Sequence, residues 1–201
     1  MAEKEARPDD RLFRTVLDAI EKKMAERQNV AVAIEGNSGA GKSDLTGRIA
    51  ERCDCNVIHM DDFFLQPHQR TEKRLRQTGG NIDYERFQSE VADHLKGGRE
   101  FRYQIYDCHR AALTDAVHVV PKRLTVVEGV YSMHPLWQNV FDLRIFLSIA
   151  PDIQAERIQQ RNGAAMGERF QKEWIPMENK YFKTYRIADQ CDLVINIGFP
   201  I

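Results

Sequence analysis

The run Gly36-Asn37-Ser38-Gly39-Ala40-Gly41-Lys42-Ser43 separates two glycines by four residues and follows them with Lys-Ser, directly after an apolar stretch at 30–34. A glycine-rich turn of this kind points successive backbone N–H groups at one place, and the helix that follows adds the positive end of its dipole, so the loop suits a phosphate anion. Lys42 would reach β- and γ-phosphates, and the Ser43 hydroxyl would ligate the Mg²⁺ that bridges them. A second group, Asp61-Asp62-Phe63-Phe64, follows a second short strand expected at 56–60. A carboxylate beside a γ-phosphate can accept the proton of an attacking hydroxyl or hold Mg²⁺ through water. Phe63 and Phe64 wall a substrate pocket in this reading; alternatively they are core and one of the acids is a helix cap. Glu128 ends the apolar run 124–127, where it either supports the same Mg²⁺ or faces solvent. Arg157 and Arg161, four apart, share a helix face, and Arg169 follows the break at Asn162-Gly163. Such arginines suggest a lid over residues 161–169 that closes on phosphates and stabilises charge developing on a transferred group, with a solvated helix face as the alternative.

These groups need a scaffold that brings them to one place. The nearly continuous apolar strand at 30–35 is the pattern of a parallel sheet covered on both faces, and further strands are expected at 56–60, 124–127, 143–149 and 193–197. They alternate with helical stretches, among them a packing helix over 9–27 with apolar positions at Leu12, Phe13, Val16, Leu17, Ile20 and Met24, and a long helix over 169–188. In an open parallel sheet ligands gather beyond the carboxyl ends of the strands, which puts Asp61, Asp62 and Glu128 on the rim that carries the loop. Residues 66–81 are polar and basic, and are expected as a mobile segment over the site or a solvated helix. Asp83 opens a helix over 84–96 as its N-cap. Strands at 101–106 and 117–120, joined through 107–115, form an antiparallel insertion in the region 101–120, a common origin of substrate lids. The expected architecture is α/β, a three-layer phosphate-loop NTPase fold with a mostly parallel five-stranded sheet, in a single domain over residues 1–201.

With 29 basic and 30 acidic residues and a formal net charge of −1, the chain has no electrostatic reason to bind nucleic acid or an anionic membrane. No apolar run is long enough to span a bilayer, and residues 1–7 lack the apolar stretch of a secretory signal, so a cytoplasmic location is expected. The 4 cysteines, Cys53, Cys55, Cys108 and Cys191, are too scattered for a disulfide framework and are expected as reduced structural thiols.

Over residues 30–197 the chain resembles the uridine kinase family of phosphate-loop kinases, a group that includes phosphoribulokinase, pantothenate kinase and nicotinamide riboside kinase. The resemblance is carried by residues 36–43, by Asp61-Asp62-Phe63-Phe64, by Asn81-Ile82-Asp83-Tyr84, by Tyr106-Asp107, by Val127-Glu128-Gly129 and by the arginines at 157–169. It implies ATP as donor, Asp61 as the base that activates a substrate hydroxyl, Asp83 on ribose hydroxyls, Glu128 supporting Mg²⁺, and Arg157, Arg161 and Arg169 in the lid. Tyr106, His109 and Arg110 join the expected substrate contacts. Uridine kinases usually carry an aromatic residue and a histidine at set positions after their Tyr-Asp; here Cys108-His109-Arg110 follows, so the histidine comes early. The paired acids with two phenylalanines look more like nicotinamide riboside kinases. The sequence thus predicts an ATP- and Mg²⁺-dependent kinase whose first expected acceptor is the 5′-hydroxyl of a nucleoside. A kinase of nicotinamide riboside, pantothenate or a sugar phosphate, and a nucleotide-responsive regulatory ATPase, are the alternatives. The resemblance also makes a homo-oligomer plausible.

Overall fold

A computed structural model describes residues 8–198. The reading of residues 1–7 as free of a secretory signal lies outside the described residues. The chain begins with α1 (Pro8–Glu26), β1 (Val30–Gly36), α2 (Lys42–Arg52) and β2 (Cys55–His59). Two short helices, α3 (Glu72–Leu75) and α4 (Tyr84–Phe87), lead to the antiparallel pair β3 (Phe101–Asp107) and β4 (Ala112–Val119). Then come β5 (Leu124–Glu128), β6 (Leu143–Ile149), α5 (Pro151–Asn162), α6 (Ala164–Arg169), α7 (Ile175–Tyr185) and β7 (Leu193–Ile197).

The central sheet is 5-stranded and parallel, in the order β2-β5-β1-β6-β7. Side chains alternate between its faces, as the pleat requires. Val30, Val32 and Ile34 of β1 join Leu124, Val126, Leu143, Ile145 and Leu147 in a core that α1 covers with Val16 and Ile20 and α2 with Leu45 and Ile49. Ala31 and Ala33 face the opposite core, built on Phe63, Phe87, Trp137, Phe146 and Tyr181. Small residues in β1 leave room there for large aromatic rings, with Phe63 and Phe87 centroids 5.0 Å apart and Phe87 and Trp137 centroids 4.5 Å apart. The described part is thus helix on sheet on helix.

Register places the chemistry-bearing residues. Glu128 lies level with Ile34 on one side and with His59 on the other, and Gly36 lies level with Leu147. The ends of β1, β2 and β5 therefore form one rim.

Several expected elements differ in extent. The second strand of the insertion starts at Ala112, not at residue 117, because Asp107 closes the turn locally by accepting from the N–H groups of His109 (2.7 Å) and Arg110 (3.0 Å). The helix expected over 169–188 begins at Ala164 as α6, passes through a π-helical turn at Phe170–Trp174 and continues as α7, with Pro176 in its first turn. The helix expected over 84–96 is a single α turn followed by a π turn at Gln88–Ala92. Residues 66–81 hold a 3₁₀ turn and α3, capped by the Thr71 hydroxyl accepting from the Arg74 N–H. The 4 cysteines are unpaired. Among the described residues no helix is long and apolar enough to cross a membrane.

Candidate active site

The loop leaves β1 at Gly36, whose φ of 141° and close approach to β6 admit no side chain: a Cβ there would stand 2.2 Å from the Leu147 carbonyl oxygen. Gly39 (φ 81°) and Gly41 (φ 90°) complete a path that L residues rarely follow, and Gly41 starts α2 from a left-handed conformation. The Asn37 N–H donates to Leu147 O (3.1 Å) and the Ala40 N–H to Asn37 O (3.1 Å), so the loop is held by its neighbour strand and by itself. Lys42 is buried, and its ammonium donates to the carbonyls of Gly36 (2.8 Å) and Asn37 (3.0 Å).

Two flanking helices brace the same loop. From α5, Gln154 Nε2 donates to Ser38 O (2.9 Å) and Arg157 Nη1 to Gly39 O (3.2 Å). From α7, Glu178 accepts from both the N–H (3.1 Å) and the hydroxyl (2.5 Å) of Ser38. Behind the loop lies Glu35, with no exposed surface. Its carboxylate accepts from the N–H groups of Gly36 (3.2 Å), Tyr131 (3.0 Å) and Met133 (3.1 Å) and from the Tyr181 hydroxyl (3.2 Å). Burial nevertheless outweighs those donors and the nearby Lys42 charge, and pushes the Glu35 carboxyl up to about 7.

On the adjoining strands, the Ser43 hydroxyl donates to Glu128 Oε1 (3.1 Å), and His59 Nδ1 lies 2.7 Å from the same oxygen. The bond to Glu128 raises the His59 pKa. Asp61 stands in the 3₁₀ turn Met60–Phe63, open to solvent. Its partial enclosure by protein and then the Glu128 charge raise its pKa, while Lys42, His59 and Arg161 pull the other way. Those couplings put Asp61, Lys42, Glu128 and Arg161 around one cleft. Among the described residues no cluster of His, Cys, Asp and Glu side chains could by itself hold a metal ion. The donor set at Ser43 and Glu128, a hydroxyl beside a carboxylate, fits a Mg²⁺ that draws its other ligands from phosphates and water.

The expected acceptor contacts are less gathered. Phe63 has no exposed surface; its ring packs on Phe87 and Tyr103, with the Arg86 guanidinium 4.3 Å from its centroid. The expectation that it walls a pocket gives way to a core role, because a ring beneath a strand-end turn is enclosed by the elements that hold the turn. Tyr106 is likewise buried, in β3. Asp83 caps α4: it accepts from the Arg86 N–H (3.1 Å) and from Gln69 Nε2 (2.8 Å), and borders an open cavity of about 430 Å³ lined also by Thr71, Lys73, Arg74, Gln77 and Glu85. His109 and Arg110 are exposed at the turn between β3 and β4. The turn lies within electrostatic range of Asp61, whose charge, after burial, helps to raise the Cys108 thiol pKa. Of the arginines, Arg157 meets the loop and Arg161 reaches the field of Asp61. Arg169 instead pairs with Glu173 on its own helix (3.0 Å).

Glu35, Ser38's partner Glu178, Gln154 and His59 were not singled out by sequence. An acid immediately before the first loop glycine, closing an otherwise apolar strand, was the available signal for Glu35. Glu178 and Gln154 are ordinary polar positions on helices, and nothing in their spacing marks them.

No family model matches the chain. Over 152 residues, 69% of this chain and 70% of the relative, it is 25% identical to a uridine kinase from Oceanobacillus iheyensis. Among solved structures, it superimposes on a "putative fructose transport system kinase" from Silicibacter sp. TM1040 with a TM-score of 0.72 at 22% identity, over 94% of this chain and 98% of that one. A "possible uridine kinase" from Bacillus stearothermophilus gives a TM-score of 0.64 at 18% identity, over 90% and 99%. At these identities the structural likenesses speak for the fold.

Proposed function

We propose that this chain, similar in sequence to uridine kinases and in fold to phosphate-loop kinases, is a phosphotransferase with an alcohol group as acceptor that moves the γ-phosphoryl group of ATP to a hydroxyl of a small molecule, first of all the 5′-hydroxyl of a nucleoside. The observation that carries this reading is the meeting, on one rim, of the Gly36–Ser43 loop, the Ser43–Glu128 pair and Asp61.

In this mechanism the loop amides and Lys42 bind the phosphates. Lys42 would exchange the loop carbonyls it now holds for phosphate oxygens. Ser43 and Glu128 would hold Mg²⁺, which supplies charge neutralisation between β- and γ-phosphates. Asp61 accepts the proton of the attacking hydroxyl, a task its exposed position permits. Because its pKa is raised, the rising limb of the rate against pH should lie above the ordinary aspartate range. Arg157 and Arg161 contribute positive charge from the lid side, and catalysis rests on positioning and electrostatics. Asp83 is retained as the candidate holder of acceptor hydroxyls because it borders the cavity beside the turn that carries Asp61.

The test is ATP consumption with Mg²⁺ across nucleosides, nicotinamide riboside, pantothenate and sugar phosphates, with product mass measured. A nucleoside that gains one phosphoryl group is the expected result. Turnover on a sugar phosphate alone would replace the nucleoside, and hydrolysis independent of every acceptor would replace the kinase reading with a regulatory ATPase.

A further inference from the structure

Ser38 differs from its neighbours in where its polar groups point. Asn37 and Ala40 direct their N–H groups to backbone carbonyls, whereas Ser38 directs both its N–H and its hydroxyl to one carboxylate, Glu178 of α7. Glu178 is 5% exposed, and no basic side chain lies within ion-pair distance of it among the described residues. A buried carboxylate without a cationic partner is costly unless hydrogen-bond donors meet it, and Ser38 supplies the donors recorded for Glu178. The charges that act on it at longer range are Lys42, which attracts it, and Asp61, which repels it. Because Ser38 belongs to the phosphate loop, Glu178 sits beside the phosphates that the loop would hold.

We propose that Glu178 is a positioning residue of the phosphate site, an internal anion that holds Ser38 while the loop is empty and gives way to the γ-phosphate, so that it sets how strongly the loop distinguishes a nucleoside triphosphate from a diphosphate. The inference rests on the reading of residues 36–43 as a nucleotide-phosphate loop. Two like-charged groups cannot share the donors of Ser38, so a triphosphate binds only as Glu178 withdraws or takes a proton. A diphosphate, one group shorter, leaves the contact in place. Glu178 and Tyr181 lie three apart on the same face of α7, and Tyr181 donates to Glu35 behind the loop. Displacement of Glu178 therefore acts on a helix that already grips β1, and that helix continues from the arginine-bearing segment through α6.

The experiment is calorimetric titration of the intact protein with a non-hydrolysable ATP analogue and with ADP, in wild type, Glu178→Gln and Tyr181→Phe. Glutamine keeps one acceptor for the Ser38 N–H and removes the charge. The expected result is an affinity ratio, analogue over ADP, raised about fivefold or more in Glu178→Gln, with ADP affinity held within about twofold. Tyr181→Phe, which loosens α7 without touching Ser38, should leave the ratio alone. An unchanged ratio in a Glu178→Gln protein that binds both nucleotides overturns the proposal, as does a parallel loss of both affinities, the mark of a merely structural contact. Should Glu178→Gln not fold, Ser38→Ala, which deletes one of the two donors, must shift the ratio in the same direction; no shift there also overturns it. Failure of the wild type to bind either nucleotide would remove the phosphate-loop reading and the proposal together.

Discussion

The two sides of the cleft are built differently. On the phosphate-loop side, several polar groups are held by other elements: Ser38 by α5 and α7, Asn37 by β6, Glu35 by the segment after β5 and by α7. On the insertion side, the groups satisfy each other locally. Asp107 holds the N–H groups of His109 and Arg110 two and three residues on, and Asp83 caps its own helix while also accepting from Gln69 of the preceding 3₁₀ turn. Long-range bracing fixes donors before a ligand arrives, which is what electrostatic stabilisation of a transferred group requires. Local closure fixes a turn but not its place relative to the rest of the site. The phosphate side is thus preorganised, and the insertion side keeps freedom to adapt to an acceptor.

The largest test of that contrast is at its boundary, Asp61. Asp61→Asn should lower kcat by about 10²–10⁴-fold while nucleotide affinity and thermal unfolding stay near wild type, since the side chain is open to solvent and makes no hydrogen bond or ion pair among the described residues. Retained activity would remove Asp61 as base and point to Asp62. A large loss of stability would show instead that the boundary residue belongs to the braced half.

Glu35 probes the braced half directly, through pH. A buried acid whose folded pKa is about 7 against an ordinary 4.5 binds a proton in the folded protein that the unfolded chain releases. Its stabilising contribution is therefore complete below pH 4.5 and is lost as pH rises toward and through 7, and at about 1.4 kcal/mol per pH unit the change is on the order of 3 kcal/mol. The difference in unfolding free energy between wild type and Glu35→Gln, measured by denaturant titration from pH 4.5 to 8, should fall with pH by roughly that amount. A flat difference would mean that the four donors around Glu35 keep it ionised in the folded state throughout.

Sequence and structure agree where the physics is local or periodic. The phosphate loop is a contiguous motif, and β1 opens with five apolar residues in a row, so both could be read directly. The register of the strands was not readable, yet the register is what sets Glu128 beside His59 and Ser43. Pairs distant in the chain, such as Ser38 with Glu178, are created only when α7 folds back over the rim. Phe63 shows the converse error. Its position next to two acids suggested a pocket, but proximity in sequence does not decide which way a ring points, and the aromatic core behind β2 claimed it. The π turns before α7 and after α4 were also invisible, because a one-residue insertion leaves an apolar pattern that is equally consistent with an ordinary helix.

The smallest effects separate structural from acceptor roles on the insertion side. Asp83→Ala removes a helix cap and the carboxylate 3.7 Å from the buried Arg86 guanidinium and should cost about 3 kcal/mol of stability, whereas Asp83→Asn, which can still accept the Arg86 N–H, should cost less. If Asp83 only caps α4, the acceptor KM stays near wild type in the asparagine variant. If it also holds acceptor hydroxyls, that variant raises the acceptor KM several-fold while the ATP KM remains unchanged, and we expect this second result. Arg110→Ala should leave the unfolding midpoint alone, because its ion pair with Asp107 is at 3.6 Å on an exposed turn. A rise in acceptor KM there would show that the turn settles onto the acceptor, as its nearness to Asp61 allows. No rise would confine acceptor recognition to the braced rim and would remove the difference between the two sides from the chemistry, leaving it a matter of stability alone.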